Sequence, residues 1–338
     1  MKTIVRGAIL FIVLIAATSA DAALRVAVTL SDIAPIVRSI GGDEVETITI
    51  MPAGADPHGF SLAAEDIRRV ESADLIVLAN AELLVFEERL RAGIPGKPAV
   101  TWDDYQRYGA RLVDFPGNPK NSHGFWLDLT NGEAIARAVA AELTDSGADS
   151  AKVTANLRAF LRELTAAKEV SLELARDSGL AGDTLVASIP GVAYVINNLG
   201  IIVGEILLSE GAGNVGGSRL QAVSRDLRSG RANGIVCPVS MRDAKPGTVS
   251  RQLASDTGSK VSYVRFLSTG PGSDSYIAQA YFNAALIVRD LGDGAPPSNE
   301  NGGSFVLISV GIALVGVFFL LVLVTIRQKN QSRSQGRK

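Results

Sequence analysis

The spacing of apolar residues changes along the chain, and each change marks an element. Residues 24–29 (LRVAVT) and 46–51 (ETITIM) are short β-branched runs. Between them Ile33, Ile36, Val37 and Ile40 recur three and four apart, the signature of one helix face. A helical pattern over 64–72 leads into the apolar run 75–79 (LIVLA), the composition of a strand buried on both faces. A long charged helix is predicted over 150–178, with Leu157, Leu161, Leu164, Val170, Leu172 and Leu174 as its apolar stripe. Strands then return at 184–187, 200–208, 234–237 and 260–266, separated by helices, with a final helix to residue 291. Strands alternating with helices predict an α/β fold with parallel sheets. The expected architecture is two Rossmann-like lobes, 23–149 and 179–291, joined by the helix 150–178. Ligands of such sheets bind in a cleft at the C-terminal ends of the strands.

The two ends follow a different pattern. Lys2 and Arg6 precede the apolar run 8–17, and Ala20-Asp21-Ala22 offers a small-x-small cleavage site, so 1–22 is expected to be a signal peptide. Residues 304–326 contain no charge and are long enough to cross about 30 Å of hydrocarbon. Arg327, Lys329, Arg333, Arg337 and Lys338 follow without an acidic residue, which places the tail 327–338 in the cytoplasm and the lobes outside. Residues 292–303, rich in Gly and Pro, read as a stalk. The chain is therefore expected to be a single-pass membrane protein, with the lipid bilayer as one partner.

Composition narrows the chemistry. Of 338 residues, 47% are hydrophobic, enough for two cored domains, and the net charge of −2 gives no reason to expect nucleic acid as a partner. Cys237 is the only cysteine, so no internal disulfide can form. No G-x-S-x-G or H-E-x-x-H occurs, and two histidines leave little acid–base capacity, so no enzyme is expected. Residues 211–216 fit G-x-G-x-x-G, but the next strand ends at Cys237-Pro238 without the acidic residue a dinucleotide site needs; a turn is the better reading. Asp103-Asp104 and Glu87-Glu88 are expected to be solvated charges.

The most informative segment is 51–80, MPAGADPHGFSLAAEDIRRVESADLIVLAN. His58 follows a strand and a short Gly/Pro turn, which would fix the direction of a ligating imidazole. The segment resembles the zinc/manganese solute-binding family of ABC transporters (cluster A-I), whose members carry a strand, Pro-x-Gly-x-Asp-Pro-His, a helix and an Ala-Asp-Leu strand. Gly41-Gly42-Asp43 also matches the Gly-Gly-Asp of that family. His123, in NSHGFWLDLTNGEAIARAVAAEL, resembles the family's second ligand segment, His-x-Trp-Leu-Asp-Pro. Two residues separate His123 from Trp126 instead of one, and Leu129 stands in place of the Pro.

The resemblance weakens in the second lobe. Ile189 stands where the family has a third His, Arg265 where it has an Asp or Glu, and Cys237 where a Glu is common. Isoleucine cannot ligate and arginine stays a cation. Tetrahedral zinc wants four donors, water allowed. Cys237 would give a soft thiolate site suited to zinc or Cu(I), or else is an inert buried thiol. Glu205, Glu210 and Asp274 are acidic candidates that nothing singles out.

The family resemblance implies an extracytoplasmic receptor for zinc or manganese, which is gripped between lobes and passed to a cognate permease and ATPase. The alternative is a metal-free relative with the same fold that binds another ligand, anionic or chelated, near Arg265, or acts as an interaction module. A secreted metallohydrolase would need a general base beside an open metal site, for which His58 with Glu65 or Asp66 is too little.

Overall fold

The computed structural model describes residues 23–55, 59–80, 83–208, 216–265 and 274–293. Their contacts fall into two compact units, one drawn from residues 1–108 and 134–160, the other from 109–133 and 161–338. His58, the expected signal peptide, the Gly-rich turn at 211–215, the stalk from residue 294 and the apolar stretch 304–326 lie outside the described residues. Among the described residues no helix is long and apolar enough to cross a membrane.

In the first unit the chain alternates as expected: β1 (Leu24–Val28), α1 (Ala34–Gly41), β2 (Val45–Thr49), α2 (Ala64–Glu71), β3 (Leu75–Val77), α3 (Val85–Gly93), β4 (Ala99–Val100) and α4 (Trp102–Arg107). The strands form a parallel sheet in the order β2-β1-β3-β4, with Val26 opposite both Thr47 and Leu75. The central strands β1 and β3 carry apolar residues on both faces, and Val26, Ala27, Val28, Leu75 and Val77 are all fully buried. Burying each larger side chain of this kind is worth about 1.5–3 kcal/mol. α1 packs through Ile36, Val37 and Ile40, the stripe its spacing predicts. Thr101 and Asp104 cap α4 reciprocally, the Thr101 amide donating to Asp104 Oδ2 at 2.8 Å.

The remaining elements are β5 (Val113–Phe115), β6 (Asn118–Asn121), α5 (Leu129–Asp145), α6 (Ser150–Asp177), β7 (Thr184–Ala187), α7 (Pro190–Asn197), β8 (Ile202–Ile206), α8 (Gly217–Arg228), β9 (Gly234–Pro238), α9 (Lys245–Thr257), β10 (Lys260–Val264) and α10 (Tyr276–Leu291). In the second unit a parallel sheet runs β10-β9-β7-β8, and β5 pairs with β6 as a small antiparallel hairpin. Val186, Leu207, Val223, Leu227 and Ile235 form a core under α8 and α9.

Two expectations need correction. The buried row of α6 is Val153, Phe160, Leu164, Ala167, Ser171 and Ala175, while Leu172 is 42% exposed. Steps of three and four from Leu164 reach 167, 171 and 175, so Leu172 sits one position off that row. The strand expected over 200–208 is confined to Ile202–Ile206, because Gly200 takes a positive φ of 68° just before it. By contact, residues 109–133 group with the residues from 161 onward.

Candidate metal centre

The described chain on either side of His58 is firmly rooted. Past β2 the ladder continues, with the Ile50 amide donating to Val28 O at 2.9 Å and the Met51 amide to Thr29 O at 3.2 Å. A tight turn follows, closed by Ala55 N to Pro52 O at 3.2 Å, with Gly54 at a φ of 77° that a side chain would resist. After His58 the chain is fixed again by Phe60, which meets Phe86 edge-on at 5.0 Å and packs on the core of the first unit.

At the ends of the first unit's central strands lie polar groups that sequence reasoning missed or misjudged. Thr29, Asp32, Asn80 and Glu87 are buried at the C-terminal ends of β1 and β3 and on α3. Glu87, expected to be solvated, is fully buried; Thr29 donates its hydroxyl to Glu87 Oε1, and the Ala79 amide donates to the same oxygen at 2.8 Å. Burial pushes its carboxyl up to about 7, opposed in part by hydrogen bonds from Thr29, Ala79 and Asn80. A signal for this was present: Leu84, Glu87 and Leu90 share one face of the turn into α3, and both leucines are buried.

His123 is half-buried and follows β6. Its amide donates to Asn121 Oδ1 at 3.0 Å, and its ring Nδ1 lies 3.5 Å from Ser122 Oγ. Gly124, between His123 and Trp126, takes a positive φ of 75°. A Cβ there would sit 2.6 Å from Gly191 Cα, so the backbones of this turn and of α7 touch. Phe125 and Trp126 are buried behind it, and Tyr276 of α10 donates its hydroxyl to Trp126 O at 2.8 Å. Leu129 replaces the expected Pro to good effect: its amide, which Pro would lack, donates to Asn198 Oδ1 at 3.1 Å. Asp128 caps α5 by accepting from the Thr130 amide at 2.7 Å.

The other candidate positions lie in the second unit. Ile189 precedes α7 and packs against the core formed by Val186, Leu207 and Leu208. Cys237 is fully buried in β9, and burial pushes its thiol up, with Ser188, Ser250 and Arg251 opposing. That environment favours the neutral thiol over the thiolate a metal needs. Arg265 sits over the ring of Phe282, with its guanidinium carbon 3.6 Å from the centroid. Its amide donates to Asn283 Oδ1 at 2.7 Å, and partial burial lowers its pKa. Glu205 is half-buried in β8, Asp274 is exposed, and Glu210 lies outside the described residues. Among the described residues no three His, Cys, Asp or Glu side chains are grouped closely enough to hold a metal ion.

Comparisons with known proteins agree on one family. Over 158 residues the chain is 30% identical to the metal ABC transporter substrate-binding lipoprotein SsaB of Streptococcus sanguinis, covering 44% of this chain and 51% of that relative, about half its length. It is 24% identical over 282 residues to the manganese ABC transporter substrate-binding lipoprotein scaA of Streptococcus gordonii, covering 81% of this chain and 90% of the relative. Its fold matches the periplasmic zinc binding protein TroA of Treponema pallidum with a TM-score of 0.67 and 18% identity, over 80% of this chain and 99% of that one. The family described as ZnuA, zinc-uptake complex component A, periplasmic, matches residues 26–289. That match takes in both parallel sheets and both histidine segments, and the chain belongs to the ZnuA family of metal-binding solute-binding proteins.

Proposed function

We propose that this chain is the extracytoplasmic receptor of an ABC importer, capturing manganese or zinc as transported cargo and handing it to a permease and ATPase supplied by other chains. The observation that carries this reading is the family match across residues 26–289, with the chain's only two histidines on its two histidine segments. His58 and His123 are the proposed donors. Imidazole suits zinc, with manganese taking more of its donors from oxygen, and the anchored backbone at His123 would help fix the direction of that ring. Cys237 as a third donor would require a buried thiol to ionise and turn outward, so water is the better remaining ligand. In this reading residues 304–326 span the bilayer, 327–338 face the cytoplasm, and the anchor raises the receptor's effective concentration near its permease.

A second reading has one specific observation behind it. Arg265 puts a cation where the resemblance implies a carboxylate, stacked on Phe282. A metal bound with an anionic chelator would suit that position better than a bare ion. Calorimetric titration of the purified chain with zinc or manganese, alone and with citrate, separates the two. Binding of the bare ion, lost in His58→Ala and His123→Ala, supports the receptor reading. Binding only with the chelator, lost in Arg265→Ala, supports the second.

A further inference from the structure

We propose that Asn121 and Tyr194 form a latch that fixes the direction of His123, so that α7 serves the metal site through His123 rather than by lending a ligand. The inference rests on the reading of His123 as a metal donor and adds the residues that hold it in place.

Asn121 is fully buried and all its side-chain polar atoms are used. Its Oδ1 accepts from the His123 amide at 3.0 Å and from Asn118 Nδ2 at 3.2 Å. Its Nδ2 donates to the carbonyl of Pro190, the first residue of α7, at 2.9 Å. Its own carbonyl accepts the Tyr194 hydroxyl at 2.5 Å. Tyr194 is equally buried, accepts the Val113 amide at 3.1 Å, and stands edge-on to Phe115 at 5.2 Å. One amide and one phenol thus tie both hairpin strands and the His123 turn to a single helix. Gly124 against Gly191 closes the other side of the turn at backbone contact.

The residue before Pro190 is Ile189, where the resemblance implies a third ligand. Its side chain packs on the core and helps root α7, so this position steadies the latch instead of reaching for metal. A buried amide whose oxygen and nitrogen are both engaged tolerates no alternative geometry cheaply. A histidine whose turn was free to rotate would spend only part of its time aimed at the ion, and apparent affinity would fall by that fraction. Losing the latch should therefore lower the apparent metal affinity in proportion to the time the ring is misaimed.

The test uses the full chain with 15N-labelled histidine rings. Only two histidines exist, and His58→Ala assigns them. Tyr194→Phe keeps the ring against Phe115 and removes only the hydroxyl. Asn121→Asp keeps an acceptor for the His123 amide and removes the donor to Pro190, while Asn121→Ala removes both. Without metal, the His123 ring signals should be single and sharp in the wild type, shifted or broadened in Tyr194→Phe, and more so in Asn121→Ala than in Asn121→Asp. Zinc affinity should fall severalfold in Tyr194→Phe, with partial recovery from Asn121→Ala to Asn121→Asp. A merely structural role would lower the melting temperature and leave ring signals and affinity unchanged, and that result would overturn the proposal. If the wild type binds no metal but the variants still release the ring, the receptor reading fails and the latch stands. If wild-type binding needs His123 but the folded variants bind equally well, the latch fails and the receptor reading stands.

Discussion

Glu87 is a carboxyl in a place water does not reach, and its energetics follow from that position. Its folded pKa of about 7 lies above the ordinary 4.5, with burial as the main cause. Below about 4.5 both folded and unfolded chains hold the proton. Between 4.5 and about 7 the unfolded chain releases it first, so this carboxyl makes stability fall as pH rises, levelling off above about 7. The ceiling on that loss is about 3 kcal/mol. Urea unfolding at pH 5 and pH 8 should show the decline in the wild type and a flatter profile in Glu87→Gln; equal slopes in both would remove Glu87 as the source. Cys237 makes a second prediction at this scale. A fully buried thiol kept neutral by its surroundings should react with iodoacetamide far more slowly in the folded chain than in urea, and Cys237→Ser should leave zinc affinity within about twofold. A tenfold loss of affinity in that variant would make the thiol a donor after all.

At the scale of elements, two substitutions probe how the His123 turn is built. Gly124→Ala places a Cβ 2.6 Å from Gly191 Cα at a φ of 75°, so it should destabilise the second unit by several kcal/mol. Wild-type stability in that variant, by chemical denaturation, would contradict the close approach. Leu129→Pro restores the residue the family resemblance implies and suits a first helical position. It also deletes the amide bonded to Asn198, so a net loss of about 1 kcal/mol is expected.

The same elements show what the sequence could reveal. The runs LRVAVT, LIVLA and GIVC were legible as β1, β3 and β9 because strands of a covered parallel sheet are apolar throughout. α6 was legible by length and charge, but its buried row was not, since Ala167, Ser171 and Ala175 carry little hydrophobic signal. The hairpin of β5 and β6 was illegible for a different reason. NPKN has neither alternation nor β-branched residues, and the hairpin is held by Asn121, by the Lys120 amide on Asp114 Oδ1 at 2.7 Å, and by a glycine turn at Gly117. His123 was found through its flanking residues, whereas its anchor Asn121 was not, because a buried side-chain amide depends on partners some seventy residues away. Glu87 was misjudged because a Glu beside another Glu in a helix is usually solvated, and only its spacing from Leu84 and Leu90 argued otherwise.

For the whole molecule, the family match and the two parallel sheets make this a metal-binding solute-binding protein, and the proposals concern how it holds its cargo and where it sits. If 304–326 spans the bilayer, the full chain should stay with membranes through alkaline carbonate extraction, and a chain stopped after residue 293 should be released. Release of the full chain would contradict a span at 304–326. The central claim is that His58 and His123 hold the transported ion although Ile189 and Arg265 cannot contribute donors. Calorimetric titration of zinc and manganese into the full chain, beside a His58→Ala, His123→Ala variant, tests it most directly. One-to-one binding that disappears in the variant is the predicted result; no binding by the wild type, or binding that survives loss of both histidines, would contradict it.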